Sequence, residues 1–238
     1  MAISIPDSVK LKRNKTAEKL LLDKSREWLD KQERTDGWHA SDILNPRKAF
    51  FQRLLNTPTE DRKIPIFLVG KVLHAFVLGA MAEGVDLGKT DEGSSFSQEL
   101  GIWYSPDWDK GDIAEFKTSR AFKEPESIDD VSSYVEQLLI YMAAKDRTDA
   151  ELWVLYLNLK DAKRRTSPEF RAYRVSIAPS DLPSLKEQIG FTREALDRAV
   201  ITGDHTPLPL CWKFICSPDH CSFWDRCKPE GRWQEPTH

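Results

Sequence analysis

The sequence predicts an α/β fold, a mixed sheet flanked by helices, followed by a short cysteine-rich segment. Three observations carry this. Apolar residues recur at helical spacing through the first third of the chain. From position 99 onward, short runs of β-formers alternate with two long helical stretches, and all four cysteines fall between positions 211 and 227.

In residues 15–34, Ala17, Leu20, Leu21 and Trp28 recur at helical spacing among many charges, with Asn14 as a cap, which reads as a surface helix. A shorter helical piece follows Ser41 and is interrupted by Pro46. Pro65 at a first-turn position, a long apolar run and Gly84 as a stop mark a mostly buried helix that carries Gly70 and His74. Residues 86–97, rich in Gly, Ser and charge, read as a linker. Residues 99–108 and 112–118 form two β-rich runs around Asp109-Lys110-Gly111, an antiparallel hairpin. A helix is expected over 130–145, strands over 151–159 and 171–177, and a long helix over 180–202. The chain then divides into a helical region at 1–60, a core at 61–205 and a cysteine-rich segment at 206–238.

A chain of 238 residues with 40% hydrophobic positions, eight Trp and eleven Phe can bury a sizeable core. Lys and Arg number 35 against 38 Asp and Glu, a formal charge of −3, so no global basic field points to a polyanion. Local cation clusters remain as candidates: Lys160, Lys163, Arg164 and Arg165; Arg171 and Arg174; and Arg226, Lys228 and Arg232. The N-terminal residues lack the apolar core of a secretory signal, and the apolar run over 72–82 is too short to span a bilayer. The expectation is a soluble, cytoplasmic protein with no membrane partner.

Cys211, Cys216, Cys221 and Cys227 follow the spacing C-x4-C-x4-C-x5-C, interleaved with Trp212, Phe214, Phe223 and Trp224. Disulfide frameworks belong to small secreted domains, so these thiols point to a soft metal centre, either tetrahedral zinc or an iron–sulfur cluster. His220 is an alternate ligand for zinc. The aromatic side chains among them suit packing around the metal, or stacking on unpaired bases.

The hairpin reads Pro106-Asp107-x7-Glu115-Phe116-Lys117. With a three-residue loop and Gly111 in the left-handed position, Trp108 pairs with Asp112 and Asp107 with Ile113. Faces repeat every second residue, so Asp107, Glu115 and Lys117 share one side. Two acids and an ammonium suit a hard divalent cation, Mg²⁺ or Mn²⁺, with the Phe116 backbone carbonyl as a further ligand and the lysine orienting a water. That is the chemistry of phosphodiester hydrolysis. Asp109 or Asp112 are alternatives to Asp107 as the first acid.

Upstream stands Gly70-x3-His74; after the hairpin come Thr118-Ser119 and Gln137-x3-Tyr141, whose side chains share a helix face. The ordered set, from residue 41 to Cys227, resembles the RecB-like branch of the PD-(D/E)XK nuclease superfamily, including CRISPR-associated RecB-like exonucleases and AddB-type nuclease domains. The resemblance implies a restriction-endonuclease-like core. It makes His74, Asp107 and Glu115 metal ligands and gives Lys117 the positioning of the attacking water, with Gln137 and Tyr141 supporting the lysine and the DNA backbone. It implies a [4Fe–4S] cluster on the four cysteines. Family members place one cluster cysteine upstream, where this chain has Asn45 in Ser41-x-x-Leu44-Asn45-Pro46-Arg47; Cys211 supplies the fourth thiol instead. The implied activity is a metal-dependent DNA exonuclease preferring single-stranded ends, in recombination, repair, phage DNA processing or CRISPR adaptation. A homo-oligomer or a recombination or CRISPR protein is the implied partner. The alternative is a non-catalytic DNA-binding subunit with a structural metal clasp, which the intact Asp107, Glu115 and Lys117 oppose.

Overall fold

A computed structural model describes residues 15–30, 35–55, 63–81, 94–126, 128–160, 166–211, 216 and 221–227. Asn14, Gly84, Lys163, Arg164, Arg165, Trp212, Phe214, His220, Lys228, Arg232 and most of the expected 86–97 linker lie outside these residues. The chain forms two compact units: Met1–Arg34 with Thr59–Val69, and Thr35–Pro58 with Gly70–His238.

The smaller unit holds helix α1 (Lys15–Asp30). Its charges pair along the surface, Lys24 with Glu27 and Arg26 with Asp23, and Leu20 and Leu21 are exposed. This is the charged surface helix that the spacing predicts.

In the larger unit, a two-residue strand β1 (Trp38–His39) leads into α2 (Ala40–Leu44) and α3 (Pro46–Leu55). Pro46 opens α3, a position where its missing N–H costs nothing. Helix α4 (Ile64–Met81) carries His74, but it is not the mostly buried helix expected from its apolar run: Ile66, Phe67, Val69, Val72 and Phe76 are exposed, and among its described residues only Ile64 is buried. Strands β2 (Ser95–Ser97) and β3 (Ile102–Tyr104) join β1 in a three-stranded sheet of order β1-β3-β2.

The second sheet runs β4 (Trp108–Lys110), β5 (Asp112–Ser119), β6 (Asp149–Lys160), β7 (Thr166–Ser176), in that spatial order. β4 and β7 are antiparallel to their neighbours, while β5 and β6 are parallel, joined through α5 (Ser132–Ala144). A parallel pair needs such a crossover. This is the mixed sheet flanked by helices that the order of elements predicts. Helix α6 (Leu182–Thr202) packs on α5, α2 and α3, and a short α7 (Trp224–Cys227) follows. Leu138, Met142, Leu152, Val154 and Leu196 are at most 1% exposed and lie in one core, each contributing about 1.5–3 kcal/mol by burial.

Two expectations for the hairpin need correcting. The run over 99–108 is not one strand: it breaks at Ser105-Pro106, and its halves enter different sheets. Proline has no N–H for a ladder and restricts the residue before it. The register is also offset, with Trp108 opposite Ala114 and Asp109 opposite Ile113. An even offset preserves the faces, so continuing the register sets Asp107 on the side of Glu115.

Directly opposed residues share a face. Three rows cross the sheet on one side: Glu115, Leu152 and Tyr173; Lys117, Val154 and Arg171; Ser119, Tyr156 and Glu169. Helix α5 lies against this side, and Lys117 reaches Gln137 on it.

Candidate active site

Six side chains from four places in the chain meet at the β4 end of β5. The Nε2 of His74, from α4, stands 2.8 Å from Asp107 Oδ1. Asp107 Oδ2 accepts the backbone N–H of Phe116 at 2.6 Å. Because β4 pairs no further than Trp108, this carboxylate takes over from the ladder along β5. Lys117 donates to Glu115 and, at 2.9 Å, to Gln137 Oε1. Gln137 Nε2 in turn donates to the Tyr141 hydroxyl at 2.6 Å.

The residues follow from local structure. Glu115 and Lys117 are two apart on a strand, hence on one face. Gln137 and Tyr141 are four apart on α5, hence on one side of the helix. Tyr134, one turn earlier, holds its ring 5.7 Å from the Lys117 ammonium. Tyr134 was not expected in the site, though its helical spacing to Gln137 and Tyr141 is legible in the sequence.

Glu115 is 2% exposed. Burial pushes its carboxyl up to about 7, against the pull of the Lys117 ammonium and with a further push from Asp107. Burial alone would lower Lys117, but the carboxylates of Glu115 and Asp107 hold the ammonium above its ordinary value. Glu115 Oε2 is buried without a hydrogen-bond partner. An acceptor stripped of water and left unpaired is costly, and a hard cation is the partner its chemistry suits. Among the described residues, neither the His74, Asp107 and Glu115 set nor the cysteines bring three His, Cys, Asp or Glu side chains together as a group that could hold a metal ion.

The competing acids stand elsewhere. Asp109 is bound by Lys145, and Asp112 faces Arg147 at 3.4 Å. Asp107 is the acid joined to His74.

The cysteine segment returns to α3. Arg47, 9% exposed, donates to the carbonyls of Leu208 and Thr206 at 2.9 and 3.0 Å and to Cys227 Sγ at 3.8 Å. The Lys48 N–H points to Cys211 Sγ at 3.4 Å. Burial pushes the Cys211 thiol up to about 11, and Cys216, Cys221 and Cys227 are near enough to raise it further. All four thiols are free of disulfides. Asn45 Oδ1 is buried and without a partner. Phe223 is buried and stacks on Phe51 with centroids 5.6 Å apart, which is packing and not a base platform. The role of Arg47 was not foreseen; only its place beside Pro46 was visible.

Of the local cation clusters, Lys160 lies 4.7 Å from the Phe122 ring, Arg174 is paired with Asp149, and Arg171 with Glu124 and Glu169. Among the described residues, no helix is long and apolar enough to cross a membrane.

No family model and no curated protein sequence matches the chain. Among solved structures, the chain is similar to SSO0001, with a TM-score of 0.51 and 17% identity over 89% of this chain and 96% of that one. The overlay shows a shared fold. Lesser likenesses are to the alkaline exonuclease LHK-Exo of Laribacter hongkongensis (TM-score 0.42, 14% identity, 76% of this chain and 95% of that one). A phage-related exonuclease from Haemophilus somnus 129PT follows (0.40, 12%, 69% and 82%).

Proposed function

We propose that this chain is a divalent-metal-dependent DNA exonuclease of the RecB-like PD-(D/E)XK type, acting on single-stranded ends. The observation that carries the reading is the convergence of the ordered motifs. His74, Asp107, Glu115, Lys117, Gln137 and Tyr141 form two short hydrogen-bonded chains around a buried carboxylate oxygen with no partner. Random D…ExK matches have no reason to bring a histidine and a Gln-x3-Tyr pair to the same place.

Bound by Asp107, Glu115, the Phe116 carbonyl and His74, Mg²⁺ or Mn²⁺ would supply Lewis-acid activation of a phosphoryl oxygen and of water. Lys117 stands where it can orient the attacking water and offset charge building on the phosphate. Gln137 fixes the ammonium, and Tyr141 fixes Gln137. His74 holds Asp107 in line.

The four cysteines are assigned to a [4Fe–4S] cluster, with zinc as the alternative. The donor set is soft, with Cys211, Cys216 and Cys227 buried and Cys221 half-buried. N–H donors from Lys48 and Arg47 aim at two of the sulfurs, as thiolates favour.

The test is a cleavage assay on end-labelled single-stranded DNA in Mg²⁺ and in Mn²⁺. Glu115→Gln keeps the shape and removes the charge, so activity should fall by at least about a hundredfold. Full activity in this variant would remove the hairpin from catalysis.

A further inference from the structure

Strand β7 brings two donors to the catalytic side of the sheet that the site described so far does not use. Arg171 lies in the row of Lys117 with Val154 between them, and Tyr173 in the row of Glu115 with Leu152 between. They are two strand spacings away, about 10 Å. Both bind one carboxylate. Arg171 Nε donates to Glu124 Oε1 at 2.7 Å, and the Tyr173 hydroxyl donates to Glu124 Oε2 at 3.4 Å. The other arm of the guanidinium meets Glu169 at 2.7 Å, and the buried Tyr156 places its hydroxyl 3.4 Å from that of Tyr173.

We propose that Arg171 and Tyr173 form a seat for a backbone phosphate of the strand being cut, and that the Glu124 carboxylate fills this seat when DNA is absent. The inference rests on the nuclease reading. A guanidinium N–H donates to a carboxylate or a phosphate oxygen alike, so the single Nε contact to Glu124 marks the donor an incoming phosphate would take, while Nη1 donates to the Phe170 carbonyl at 3.0 Å. The pair is a poor structural anchor. Its side chains are 35% and 46% exposed, and ion pairs so open to water add little stability. Glu169 stays with Arg171 and offsets its charge, so the seat suits one phosphate of a strand held mainly at the metal site. The shared face and rows fix where that phosphate lies: beside the one being hydrolysed, toward the β7 edge.

The experiment measures fluorescence anisotropy of a labelled single-stranded oligonucleotide over a salt series, with all variants built on full-length Glu115→Gln protein to prevent cutting. Arg171→Ala should weaken binding about tenfold and make the salt slope shallower by about one phosphate contact. Tyr173→Phe should weaken it less, and Glu124→Gln should tighten it. In otherwise wild-type enzyme, Arg171→Ala should raise KM and leave kcat nearly unchanged. Because Arg171 and Glu124 are surface residues, a melting curve shows that each variant is folded. Unchanged affinity and slope in Arg171→Ala, beside a wild type that cuts DNA, overturns the seat and leaves the nuclease standing. Weaker binding in Glu124→Gln overturns the occupancy by its carboxylate. A wild type that neither cuts nor binds DNA removes the nuclease reading, and the seat with it.

Discussion

Lys117 is held by three neighbours of different kinds: the Glu115 carboxylate, the Gln137 amide oxygen and the Tyr134 ring. An ammonium has no lone pair to offer a cation, so its work in the proposed mechanism is on water and phosphate. Lys117→Ala should therefore keep divalent-metal affinity within about threefold of wild type while kcat drops by at least about a hundredfold. Isothermal calorimetry with Mn²⁺ beside single-turnover cleavage separates the two. Equal loss of metal affinity in Lys117→Ala and Glu115→Gln would show that the roles are divided wrongly. Gln137→Leu should act in the same direction but more weakly, because Glu115 still holds the lysine.

Among the elements, those with strong periodicity were legible. Helices α4, α5 and α6 and strands β5 to β7 stand close to where spacing and β-formers put them. Strands β1 and β2 were missed because two or three residues cannot display a period, and only a partner such as β3 makes them strands. The shared face of Asp107, Glu115 and Lys117 survived an offset register, since parity alone decides it. Gln137 and Tyr141 were legible as a pair, but Arg171 was visible only as a cation until the pairing of β6 with β7 gave it a row. The link from α3 to the cysteine segment was hidden too, because Arg47 is separated from Thr206 and Cys227 by most of the chain. That contact makes a prediction at this scale. Arg47→Ala strands the buried Leu208 carbonyl and loses the part-buried bond to that of Thr206, and should cost roughly 2 kcal/mol, read from a urea melt. Arg47→Lys should recover little, since an ammonium cannot span both carbonyls and the thiol as the guanidinium fork does.

For the molecule as a whole, the cysteine segment tests whether a metal centre helps hold the fold. Metal affinity of about 10 kcal/mol or more at a thiolate site becomes folding free energy when the site exists only in the folded chain. Cys227→Ala should be poorly soluble or should melt well below the wild type. Cys211→Ser should lower metal content in elemental analysis and alter the paramagnetic resonance spectrum. Unchanged content and spectrum would exclude Cys211 as the fourth ligand and return attention to His220 and zinc.

The two acids of the hairpin also differ in what they cost their host. Glu115 buries a carboxylate with one oxygen on Lys117 and the other unanswered, and a Gln there would keep the first contact without the charge. Asp107 answers a strand N–H as well as His74, so removing it orphans a buried amide. A lineage released from selection for cleavage, yet still required to fold, would be free to discard Glu115 early and would keep Asp107 long after. In a library of variants selected only for folded protein, position 115 should accept Gln, whose amide oxygen can still take the Lys117 ammonium, while position 107 should accept little besides Asn.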